Sequence, residues 1–229
     1  DQPLNVVWFK RDLRVADHGP LFKASQCGPV LPVYVIEPSV IHAPDFDALH
    51  WGFIAESLVD LRQSLERLGA PLTLCHGEAV SVFETILKWV PAMVLWSHQE
   101  TGNAVTYRRD RDVGAWARKN GVPWQEIPQN GVIRGLRDRD GWARQWQRRM
   151  AEPQFAVPKA VCGYDGPMSM PVARPASLAA FPGPTTAVRL RKVPSSADLK
   201  LTVQERGELQ PGGESAGWQT LRSFFHIRG

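Results

Sequence analysis

A chain of 229 residues with 43% apolar and 22% charged side chains has the make-up of one large globular domain, or of one medium domain with an appendage. A wholly disordered chain, a collagen-like chain and a coiled coil are excluded, and no run of about 18 apolar residues is present to cross a membrane as a helix. The net charge of +4 is uneven: residues 1–103 sum to −5, residues 104–149 to +6 and residues 150–229 to +3.

The first 150 residues alternate short apolar runs with helical periodicity. Asn5–Phe9 reads as a buried strand, and Val30–Ile36, rich in β-branched residues, as a second. A helix is predicted over Trp51–Leu68, where Ile54, Leu58, Leu61, Leu65 and Leu68 recur at spacings of three and four, closed by Gly69. Leu72–Cys75 is a third strand. Ser81, with Glu84 as its capping-box partner, is placed at the start of a helix over Val82–Val90, which Pro91 stops. Met93–Trp96 is a fourth strand. A helix follows from Asn103 or Thr106 to Lys119, ended by Asn120-Gly121, and Trp124–Ile127 is a fifth strand. The fold class that follows is α/β: a doubly wound, five-stranded parallel sheet of Rossmann-like type, then a long irregular linker and a short helix.

The basic block ends in a helix over Gly141–Met150 carrying Trp142 and Trp146. Its charge can track phosphates and its indoles can stack on bases. The plainer reading is a solvated face, with local ion pairs in Arg108-Arg109-Asp110-Arg111-Asp112 and with the tryptophans packing the helix onto the sheet domain. Residues 153–213 hold nine of the 19 prolines and six of the 19 glycines, and read as a linker or extended wrap with no second core. A last amphipathic helix spans Ser215–Phe225.

Ligands of parallel sheets bind at the carboxyl ends of the strands. Two loops are therefore the places to look: Lys10 to His18 after the first strand, and Ser97 to Asn103 after the fourth. Arg11 and Arg14 suit an anionic ligand, while Arg14 can instead pair locally with Asp12 or Asp17. His98 and Glu100 have no third partner at catalytic spacing, so no acid–base centre is read there. The sequence lacks a Walker-type phosphate loop, a Gly-x-Gly-x-x-Gly turn after the first strand and a Gly-x-Ser-x-Gly elbow. The six histidines show no metal-type spacing, and no metal site is read. Cys27, Cys75 and Cys162 form neither a metal pair nor a disulfide framework, and no secretory signal precedes them, which points to the cytoplasm.

The run Trp8-Phe9-Lys10-Arg11-Asp12-Leu13-Arg14-x-x-Asp17 resembles the opening of the DNA photolyase/cryptochrome family. Further stretches follow in that family's order: Val33 to Pro38, Leu72 to Ala79, Trp96 to Glu100 with Tyr107 to Asp112, Trp124 to Ile127 with Asn130-Gly131-Val132, and Gly212-Gly213-Glu214 with Leu221 and Phe224. Lys10 stands where arginine is commoner. The loop His98-Gln99-Glu100-Thr101-Gly102 differs from the Asn-x-x-x-x-Pro-Tyr type, which leaves the antenna pigment unassigned.

The resemblance implies an N-terminal fragment. Residues 1–132 match the α/β antenna domain, 133–152 a basic helical extension, 153–211 the Pro/Gly-rich interdomain linker and 212–229 the first helix of a truncated FAD-binding domain. It implies an antenna chromophore (a folate, a deazaflavin or a flavin) or an empty pocket, with FAD held only in the missing domain. Phe9, Arg11, Leu13, Glu37, Trp51, Ser97 and Glu100 are the candidate pigment contacts, and none is assigned a catalytic role. The parent would be a deoxyribodipyrimidine photolyase, splitting pyrimidine dimers in UV-damaged DNA by photoinduced electron transfer from FAD. This fragment would be inactive alone and would partner its own missing domain. The alternatives are a cryptochrome blue-light receptor without repair activity, and a stand-alone nucleotide-binding α/β module; the latter needs a glycine turn that is absent.

Overall fold

The five apolar runs become five parallel strands of one sheet. In the computed structural model, which describes residues 2–129, 131–134, 140–174, 178, 187–202 and 209–228, β1 (Leu4–Phe9) lies between β2 (Val30–Ile36) and β4 (Met93–His98). β2 continues to β3 (Thr73–His76), and β4 to β5 (Trp124–Ile127). Every residue of β1 and β2 is buried, as strands covered on both faces require. Alternation sorts their side chains between two cores. Val7, Phe9, Tyr34, Ile36 and Leu74 pack with α1 (Gly19–Ala24) and α3 (Ala48–Leu68). Val6, Trp8, Val33 and Val35 pack with α4 (Ala79–Leu87) and α5 (Ala104–Lys119).

Capping residues set where the helices begin. α3 starts at Ala48, ahead of the expected Trp51, because the Asp47 carboxylate accepts from the Leu49 and His50 amides. Gly69, at φ 93°, closes it in the left-handed conformation expected of it. Asn103 caps α5 through the Thr106 amide. The Ser81–Glu84 box does not form. α4 starts three residues earlier, at Ala79, whose amide donates to the Glu37 carboxylate arriving from the end of β2. A tertiary carboxylate thus does what a local serine was expected to do. The short helices α1 and α2 (Pro38–Ile41), each with a proline in its first turn, were not legible as helices because neither is long enough to show periodicity.

The sheet is wider than five strands. The stretch expected to be an irregular linker adds β6 (Val172–Ala173) and β7 (Val188–Leu190). β7 pairs antiparallel with β3 and parallel with β6, giving the order β5-β4-β1-β2-β3-β7-β6. The free edge of β3 is what recruits them: Val188 and Leu190 bury their side chains while their backbone pairs with His76 and Leu74. Upstream, residues 153–164 wrap the domain, with Phe155 against Phe22 and the Val30 amide donating to Cys162. Residues 175–177, 179–186 and 203–208 of the expected linker, and Asn130 of the expected exit turn, lie outside the described residues.

Helix α6 (Trp142–Met150) buries no residue, which overturns the expectation that it packs onto the sheet domain. Trp142 and Trp146 are 42% and 41% exposed and stack on each other at 6.3 Å, with the Trp142 indole donating to the Gly131 carbonyl. Helix α7 (Glu214–Ser223) runs into one wider turn at Phe224–Arg228. Its start is anchored by polar contacts: Glu214 accepts from the Val15 and Ala16 amides, and Asp60 accepts from Ser215. The three cysteines are free thiols. Among the described residues no helix is long and apolar enough to cross a membrane.

Candidate functional site

Between β1 and β4 the strand order reverses, so the loops leaving their carboxyl ends diverge and open a crevice. The β1 loop is held from beneath by Asp12. Its carboxylate accepts from the Lys10 amide at 2.7 Å, from His18 Nε2 at 2.8 Å and from His98 Nδ1. His18 Nδ1 accepts from the Leu21 amide at the start of α1, which fixes the hydrogen on Nε2. Burial keeps His18 neutral by pushing its pKa down against the pull of Asp12. Burial pushes the Asp12 carboxyl up, but the two imidazoles outweigh it and hold it well below the usual carboxylate range. This overturns the local pairing expected between Arg14 and Asp12. Arg14 instead donates to the Ala16 and Asp17 carbonyls. Asp12, His18 and His98 also have donor atoms within 4.8 Å of one another, the grouping of a metal site. Sequence spacing hid it, because the two histidines come from different loops. Hydrogen bonds among the three already account for the geometry.

Above this clamp lies a pocket of about 370 Å³, a volume that suits a small organic ligand. Trp8, Phe9 and Tyr34 form its floor, and Ile41, Phe46 and Ile54 are among its apolar walls. Arg109 of α5 organises the polar end. Its guanidinium donates to Glu37 at 2.9 Å, to Glu100 at 2.6 Å and to Asp110 at 3.0 Å, and lies 4.7 Å from the Trp8 ring centroid. Lys10 pairs with Asp110 at 2.8 Å. Glu100 also accepts from the Thr101 and Gly102 amides. Burial raises the Glu100 carboxyl, but Arg109, Lys10 and the Gly102 amide more than reverse that, leaving it lowered. Glu37 behaves oppositely: burial pushes it up to about 7 against the pull of Arg109.

A raised folded pKa contributes stability that is full below the unfolded value and lost as pH rises through the folded one. The Glu37→Gln chain is therefore expected to gain on the wild type between about pH 5 and pH 7, by on the order of 2–3 kcal/mol. Thermal melts of the two chains at matched pH check this, and parallel pH curves would refute it.

Of the predicted contacts, Phe9, Arg11, Glu37 and Glu100 line this pocket. Arg11 stands at the mouth with its side chain 61% exposed, packed over Gly102 and 3.9 Å from Glu100. The other three lie elsewhere. Leu13 packs half-buried against the core that includes α3. Trp51 is buried, with its indole donating to the Pro194 carbonyl, so it neither walls nor fills the pocket. Ser97 is buried under β5, accepting from Trp124 and donating to the His98 carbonyl. Tyr34 and Arg109 were missed. Tyr34 is the β2 register partner of Phe9, a pairing that needs the strand order. Arg109 and Asp110 were read as part of a solvated run. The helix turns these two inward and leaves Arg108, Arg111 and Asp112 outside.

The family model described as DNA photolyase matches residues 5–135. The chain is 35% identical over 105 residues to a chloroplastic/mitochondrial cryptochrome DASH of Arabidopsis thaliana, covering 43% of this chain and 18% of that protein. It is 26% identical over 243 residues to a cryptochrome DASH of Gloeobacter violaceus, covering 96% and 44%. It is 35% identical over 96 residues to a deoxyribodipyrimidine photo-lyase of Agrobacterium fabrum, covering 41% and 19%. Each alignment spans less than half of the relative's length. Two crystal structures share the fold. One is a class III photolyase of Agrobacterium tumefaciens (TM-score 0.69, 18% identity, 98% of this chain and 45% of that one). The other is an archaeal photolyase of Sulfolobus tokodaii with two FAD molecules (TM-score 0.58, 20% identity, 71% and 39%).

Proposed function

This chain belongs to the DNA photolyase family, and from that premise we propose that its α/β domain houses an antenna pigment for a light-dependent flavoprotein that acts on DNA. The pocket carries the reading: a concavity of about 370 Å³ at the strand ends, with apolar walls and with its buried charges already neutralised against one another. A pigment that collects light and passes the excitation on needs a rigid berth that excludes water and holds a flat ring. Phe9 and Tyr34 supply the floor for such a ring, and Arg11 is placed to meet an anionic tail at the mouth. A folate, a deazaflavin or a flavin fits that description. The Sulfolobus photolyase, with its two FAD molecules and the novel light-harvesting cofactor they imply, supports a flavin-type ring.

In the protein to which this domain belongs, the reaction proposed is electron transfer from photoexcited reduced FAD to a pyrimidine dimer flipped out of the duplex. The FAD would be held by a helical domain other than this one. The cryptochrome DASH relatives favour a second reading, a blue-light receptor built on the same domain. Illuminating the protein that carries this domain with a dimer-bearing oligonucleotide separates the two: restored bases support repair, and an unchanged dimer supports signalling.

The antenna reading is tested by titrating the purified chain with FMN, a deazaflavin and a folate, following near-ultraviolet and blue absorption. A stoichiometric complex with one of them is expected. Arg11→Ala should weaken it about tenfold, the value of one charge-assisted contact. No retained band with any of the three pigments would overturn the reading.

A further inference from the structure

Tyr34 is 8% exposed, and its ring sits beside Phe9 on the pocket floor. Its hydroxyl has no hydrogen-bond partner among the described residues, and it is not one of the fully enclosed unpaired polar atoms, so it opens on the pocket. A ring that closes over this hydroxyl takes it out of water, and a phenol O–H so enclosed needs a partner, because leaving it unsatisfied is costly. The neighbouring polar groups are already committed. Glu37 and Glu100 accept from Arg109, Glu100 also accepts from two amides, and Lys10 donates to Asp110. Burial and the nearby Glu37 carboxylate push the Tyr34 pKa up, so the phenol stays protonated and acts as a donor.

We infer that Tyr34 is the specificity-determining donor of this pocket: its hydroxyl donates to a carbonyl oxygen or ring nitrogen on the inner edge of a flat heteroaromatic pigment. The inference rests on the antenna reading above and deepens it. Rings that present an acceptor at that edge complete the Tyr34 hydrogen bond. Rings that do not leave a buried O–H unpaired, and hydrogen-bonding sites discriminate sharply against such analogues. The apolar walls grip both kinds of ring alike, so shape alone does not choose between them.

Tyr34→Phe removes one oxygen and keeps the ring. Because that oxygen has no protein partner among the described residues, the substitution leaves the described contacts of the fold in place. FMN is the probe, with a deazaflavin and a folate run alongside and anthracene-2-sulfonate as a tricycle without ring acceptors. FMN binding is expected to weaken about 3- to 10-fold in Tyr34→Phe. The carbonyl stretch of the bound FMN should move to higher wavenumber, and anthracene-2-sulfonate should bind Tyr34→Phe more tightly than the wild type, because no O–H is left unpaired against it. Equal FMN affinity with an unmoved carbonyl band would overturn the role of Tyr34 and leave the antenna reading standing. Equal weakening of both probes would also overturn it, as a packing effect. Failure of the wild type to bind FMN, deazaflavin and folate would overturn the antenna reading, and the role of Tyr34 with it.

Discussion

Replacing Arg109 by alanine is expected to destabilise the chain by about 3–5 kcal/mol, the cost of removing one partner of a buried ion-pair network. The guanidinium bridges Glu37, Glu100 and Asp110 and covers the face of Trp8. Without it, buried carboxylates from β2 and from the β4 loop are left without their shared cation. Arg109→Lys should recover only part of the loss, because one ammonium cannot replace a planar fork that donates in three directions. Denaturant unfolding checks both variants: the midpoint should fall while the slope stays constant. A loss below about 1 kcal/mol in Arg109→Ala would mean the network is solvated and contributes little. The pigment pocket depends on the same guanidinium, so pigment binding and stability should fail together in this variant, whereas Arg11→Ala should affect binding alone.

Asp12→Ala is expected to cost about 2–4 kcal/mol, because a buried backbone amide and two buried imidazole donors lose their common acceptor. Its pH dependence separates it from an ordinary cavity. The folded pKa of Asp12 is depressed, so its contribution is present above the unfolded value near 4 and is lost as pH falls through the folded value. Wild type and Asp12→Ala should therefore converge in stability as the solution is acidified. Asp12→Asn preserves the shape but offers an NH₂ where the clamp needs an acceptor, and it should be intermediate. Urea midpoints measured in a series of acidic buffers check this. A stability gap that stays constant with pH would show that packing, and not the carboxylate, holds the β1 loop.

Much of the fold was legible because its signals are local. The runs at residues 5–9 and 30–36 are apolar and β-branched whatever surrounds them, and both are buried strands. The helix carrying Leu58, Leu61 and Leu65 shows its inner face by spacing alone, and Gly69 ends it because few other residues tolerate a positive φ. The lesson differs for elements whose partners are distant. Ser81 had every local feature of a cap, yet Glu37 takes that role from across the sheet. Val188 and Leu190 form a strand only because β3 offers them an edge. A three-residue alternation among prolines and glycines carries too little signal to be read in advance.

The site divides along the same line. Strand-end logic leads from sequence to the carboxyl ends of β1, β2 and β4, and so to Phe9, Arg11, Glu37 and Glu100. Ser97 belongs to one of those loops and Trp51 to the helix α3 that follows β2, but their side chains turn toward Trp124 and Pro194. Direction depends on packing, which no spacing encodes.

By itself the sequence determined the alternating α/β architecture, the family resemblance and the loops that line the candidate pocket, because hydrophobic period, turn residues and motifs are written in neighbouring positions. Tertiary structure alone decided the Asp12–His18–His98 clamp, the bridging role of Arg109 and the unpaired hydroxyl of Tyr34. Each depends on groups far apart in the chain meeting in one place, where buried polar atoms find partners and the Tyr34 hydroxyl is left facing the pocket.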